Sequence, residues 1–106
     1  MPQTEGSQTF GEQYPEVFER LQVLRDALGN HGPLSERDIR LVTLAFAIGK
    51  GLHSSITAET SKAQKAGVPD EELEQVALLA VTELGFSHTM NALGVINPRT
   101  GRGALR

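Results

Sequence analysis

The stretch that decides the fold runs from Ile39 to Gly67 and reads IRLVTLAFAIGKGLHSSITAETSKAQKAG. Its first ten residues, Ile39–Ile48, are apolar nearly all the way round, broken only by Arg40 and Thr43. Those two are three apart and share one lane of a helix. Beyond Gly49-Lys50-Gly51 a second helix carries Leu52, Ile56, Ala63 and Ala66, at spacings of four, seven and three that fit one face. Glu59 falls inside that stripe, i+4 from Ser55, while Thr60, Ser61, Lys62, Gln64 and Lys65 are assigned to the wet side. Each helix thus sets one charge where its neighbours are buried. An isolated buried charge is too costly to keep, so such charges are paired. The expectation is that Arg40 and Glu59 face each other across an antiparallel helical hairpin and form the polar centre of a site.

Working outward, Tyr14-Pro15 opens an earlier helix whose Val17, Phe18, Leu21, Leu24, Ala27 and Leu28 recur at three and four. Gly29-Asn30-His31-Gly32-Pro33 ends it, and Ser35 with Glu36 and Asp38 starts the central hairpin. Gly67 and Pro69 separate that hairpin from a helix built on Leu73, Val76, Ala77, Leu78, Leu79, Ala80, Val81 and Leu84, with few wet faces expected. Phe86, Met90 and Leu93 mark a last helix. No strand pattern appears. The fold class expected is all-α, about five helices around the central hairpin. Residues 13–96 form one domain, 1–12 a flexible arm and 97–106 a flexible tail.

With 106 residues there is material for one domain. Thirteen acids against ten bases leave a net charge of −3, which gives no basic footprint for a nucleic acid. There is no cysteine, hence no disulfide, thiolate metal site or thiol nucleophile. Three histidines without i, i+4 spacing give no metal site, and no cofactor is expected. No apolar run reaches the length of a membrane span, and MPQTEGSQTF lacks the pattern of a secretory signal, so a cytoplasmic location is expected. Ile39–Ile48 and Leu73–Leu84 are apolar on more sides than so small a chain can cover. A homo-oligomer is therefore expected.

The run PEVFERLQVLRDALGNHGPLSERDIRLVTLAFAIGKG, followed by AQKAGVPDEELEQVALLAVTELG, resembles the carboxymuconolactone decarboxylase family, which includes the alkylhydroperoxidase D-like proteins. The resemblance covers about residues 14–96. It implies the alkylhydroperoxidase D-like all-α fold and assembly as trimers or as hexamers built from dimers. The redox branch of that family carries Cys-x-x-Cys-x-x-x-His at the start of the second central helix and a glutamate one helix earlier. In this chain the cysteine positions fall on Leu52 and Ser55, the histidine position on Glu59 and the glutamate position on Arg40. Without cysteines, thiol–disulfide exchange has no reactive group.

Three functions follow as expectations. The first is a cysteine-less oligomeric scaffold with an altered small-molecule pocket around Arg40 and Glu59, with Ser55 beside it. The second is a decarboxylase or isomerase acting on a small carboxylated substrate, with Arg40 as anchor and His53 or Glu59 transferring the proton. The third is a purely structural assembly protein.

Overall fold

Helices account for nearly all of residues 5–97, the part that the computed structural model describes, with side chains described from Thr9 onward. They are α1 (Glu5–Gln13), α2 (Pro15–Gly29), α3 (Glu36–Lys50), α4 (His53–Lys65), α5 (Asp70–Leu84) and α6 (Phe86–Ile96). No strand occurs among the described residues. The helix beyond the expected five is α1, which occupies most of the stretch read as a flexible arm. The tail from residue 98 and the first four residues lie outside the described residues.

The boundaries follow from local chemistry. Pro15 stands in the first turn of α2, where its missing N–H costs nothing. Ser35 caps α3, its Oγ accepting from the Asp38 N–H at 3.1 Å. Gly51, at φ 71°, ends α3. Gly67, at φ 87°, ends α4, its N–H donating to Gln64 O while Val68 N–H donates to Ala63 O, both at 3.0 Å. That pair of bonds is a Schellman motif, which needs the left-handed residue and buries the apolar one after it; Val68 is buried.

Four helices, α3 to α6, form the bundle. In the central hairpin α3 and α4 run antiparallel, as do α5 and α6, where the Thr89 hydroxyl donates to Ala77 O at 2.9 Å. The two hairpins meet with α3 and α5 parallel: Arg37 pairs with Glu72 near their starts, and Gly49 faces Leu84 at their ends. Leu44, Ile48, Ile56 and Leu73 fill the centre, and Ala47, Ala63, Ala77 and Ala92 let the helices approach closely.

Three expectations about faces are corrected. On α4 the buried residues are Ile56, Thr60 and Ala63, a spacing of four and three, so Thr60 belongs to the core side. Leu52 is 57% exposed because it precedes the helix as its N-cap, and Ala66 is exposed at the C-cap. On α3 only Leu44, Ala47 and Ile48 are buried, and the opposite side, with Val42 and Phe46, is exposed. No residue of α2 is buried, despite its regular apolar stripe. It packs along α1, and no comparable packing joins it to the bundle.

Candidate functional site

Arg40 lies one turn into α3, and its backbone carbonyl accepts from the Thr43 hydroxyl at 3.2 Å. Glu59 lies midway along α4. Because the two helices run antiparallel, these positions come level, and Arg40 Nη1 stands 3.9 Å from Glu59 Oε1. The two side chains are 23% and 21% exposed, so the pair is largely covered. Glu59 Oε2 has a second cation, Lys62 Nζ at 3.5 Å, one turn further along α4.

The pairing leaves hydrogen-bonding capacity unused. Arg40 Nε and Glu59 Oε1 are buried, and neither has a hydrogen-bond partner among the described residues. The hydroxyl of the adjacent Thr60 is in the same condition. A buried donor or acceptor without a partner carries a desolvation penalty of roughly 1–3 kcal/mol.

Arg40 also lines an open cleft of about 530 Å³ between the end of α2 and the start of α3. Arg25, Asp26, Gly29 and Asn30 form one wall, and Glu36, Ile39 and Arg40 the other. One arginine thus belongs to both the covered pair and an open space.

Ser55 is half-buried and precedes Glu59 by one turn, on the same side of α4. His53 is the exposed first residue of α4. It stands about 9 Å along the axis from Glu59 and about 120° round it, by ordinary helix geometry. His31 is exposed in the α2–α3 loop. His88 sits over the α3–α4 turn, where a Cβ on Gly51 would lie 3.3 Å from its Nε2. The structure therefore brings Arg40, Glu59 and Ser55 to one side of the hairpin and leaves His53 and His88 at its turn.

The model of the carboxymuconolactone decarboxylase family matches residues 15–98. The chain belongs to that family. Comparison with curated proteins and with solved structures finds no match. As a member of the carboxymuconolactone decarboxylase family the chain has an all-α fold and no cysteine.

Lys62 is exposed, as its place on the wet side of α4 predicts, and its i+3 spacing sets its ammonium beside Glu59. One part of the site escapes a reading by periodicity. The wall supplied by Arg25, Asp26 and Asn30 was not legible, because it depends on the angle at which the 30–35 loop returns the chain.

Proposed function

We propose that the chain is a cysteine-less, homo-oligomeric member of its family that binds a small carboxylated molecule at Arg40 and Glu59, without thiol peroxidase turnover. The observation that carries this is the pair's unused capacity: a buried Arg40 Nε donor and a buried Glu59 Oε1 acceptor, neither hydrogen-bonded among the described residues. A ligand carboxylate would accept from the first, and a hydroxyl on the same molecule would donate to the second. The open cleft at Arg40 supplies an approach from solvent. The peroxidase part of the proposal rests on chemistry: the thiolate nucleophile is missing from the sequence.

Glu59 Oε1 also favours a second reading, an active non-redox decarboxylase or isomerase. There Arg40 holds the substrate carboxylate and Glu59 moves a proton. His53 serves in that role only for a substrate long enough to reach the start of α4. Assembly as a trimer or hexamer is the form that family membership implies.

The test is a thermal-shift screen of small mono- and dicarboxylic acids against wild type and Arg40→Ala. A shift seen with wild type and lost in the variant supports the site. If no acid moves the wild-type midpoint, the binding reading is wrong and the purely structural alternative takes its place. Product formation from an acid that binds would select the enzymatic reading.

A further inference from the structure

The two oxygens of Glu59 are in different states. Oε2 stands 3.5 Å from Lys62 Nζ and is held by it. Oε1 lies 3.9 Å from Arg40 Nη1, buried and with no hydrogen-bond partner among the described residues. An ionised glutamate accepts hydrogen bonds and cannot donate them. Oε1 therefore calls for a donor, and a carboxylate brought against it is repelled.

Charge sets a second condition. Two cations, Arg40 and Lys62, stand against one anion, Glu59. That excess matches a single ligand carboxylate. The cleft beside Arg40 adds no further excess, because Arg25 on its wall is offset by Asp26 and Glu36. An ammonium donor is also disfavoured, since Glu59 already faces two cations. A neutral hydroxyl meets the need of Oε1 without altering the balance.

Spacing sets a third. Arg40 Nε, the other buried atom without a hydrogen-bond partner among the described residues, belongs to the same rigid guanidinium as Nη1. The free donor and the free acceptor thus lie within roughly 6 Å of each other, by the fixed geometry of that group. A carboxylate oxygen and a hydroxyl one or two carbons away span such a gap, each at hydrogen-bond distance.

We infer that the ligand class of this site is a short monocarboxylic acid with a hydroxyl one or two carbons from its carboxylate. The carboxylate accepts from Arg40 Nε, and the hydroxyl donates to Glu59 Oε1. Glu59 is then the specificity-determining residue, admitting a hydroxyl and refusing a second carboxylate. Lys62, by holding Oε2, leaves Oε1 as the oxygen that reads the ligand. The inference rests on the reading of Arg40 as a carboxylate anchor, and adds which acids are accepted and which refused.

Titration of the full chain with matched acids, followed by NMR, tests this. The probes are acetate against glycolate, propionate against lactate and 3-hydroxypropionate, then malonate and alanine. With wild type, glycolate and at least one of the three-carbon hydroxy acids should bind about tenfold tighter than their plain counterparts, since a hydrogen bond to a charged group is made in one case only. Malonate should bind no tighter than acetate. Glu59→Gln keeps the shape, but its amide accepts more weakly and repels no anion. There the hydroxyl preference should shrink to about threefold or less, and malonate should gain severalfold. Arg40→Ala should lose every acid.

Equal binding of glycolate and acetate, abolished by Arg40→Ala, would overturn the hydroxyl assignment and leave the carboxylate anchor standing. Malonate or alanine binding more tightly than the hydroxy acids would overturn it as well. An undiminished preference in Glu59→Gln would remove Glu59 as its source. If circular dichroism shows that variant unfolded, the wild-type series decides alone. Binding of no acid at all would sink this inference together with the reading beneath it.

Discussion

Arg40 and Glu59 meet across α3 and α4 at 3.9 Å, close enough to attract and too far apart to share a hydrogen bond. The relationship is a charge pair whose inner atoms, Arg40 Nε and Glu59 Oε1, have no hydrogen-bond partner among the described residues. Attraction in a mostly covered site is strong, but the desolvation cost is only partly repaid.

That balance predicts the outcome of a double-mutant cycle. Arg40→Met alone should destabilise by about 2 kcal/mol, because Glu59 keeps its burial with only Lys62 to answer it. Arg40→Met with Glu59→Leu should cost clearly less than the sum of the single changes. Urea unfolding of the four chains measures the coupling, and strict additivity would refute the pairing.

Thr60 and Thr89 are both buried, yet they should respond in opposite directions to valine. The Thr60 hydroxyl has no partner among the described residues, so Thr60→Val should be neutral or stabilising by up to about 1 kcal/mol. The Thr89 hydroxyl holds Ala77 O, so Thr89→Val should destabilise by about 1 kcal/mol or more. On a chain of this size the two melting temperatures should separate by roughly 4–8 °C or more.

Gly51 and Gly67 both occupy the left-handed region, at φ 71° and 87°. An added Cβ at Gly67 meets nothing within 4 Å, whereas at Gly51 it presses on His88. Gly67→Ala should therefore cost the backbone strain alone, about 1 kcal/mol. Gly51→Ala should cost more, and His88→Ala should recover only the excess. Equal losses at the two glycines in chemical denaturation would show that His88 yields freely.

Removing the cap of α3 tests how far the pair depends on its helix. Ser35→Ala takes away the acceptor for the Asp38 N–H, five residues before Arg40, and should cost about 1 kcal/mol. Ser35→Asp should retain most of the stability, since a carboxylate also caps. Denaturant midpoints of the two variants should therefore differ, with the alanine chain lower.

The hairpin was legible because its signals are local. Helix period, the Ser35 cap and the breakers at Gly51 and Gly67 act within a few residues, so the all-α class and most helix ends could be read directly. The Arg40–Glu59 approach could also be read, because two charges on otherwise apolar lanes of adjacent antiparallel helices have little choice but to meet.

Burial was another matter. Thr60 reads as polar and lies in the core, since the period of Ile56 and Ala63 carries it there whatever its hydroxyl prefers. Leu24 and Phe46 read as core and stand in solvent, because burial needs a second surface and this chain brings none to them. Sequence determined the helices, their ends and the charges that interrupt them, all short-range properties of the chain. Only the tertiary structure decided which apolar faces are used, how the loop at 30–35 sets a wall beside Arg40, and which polar atoms go unanswered. Those depend on how helices distant in sequence are placed, and a period along one helix does not encode that.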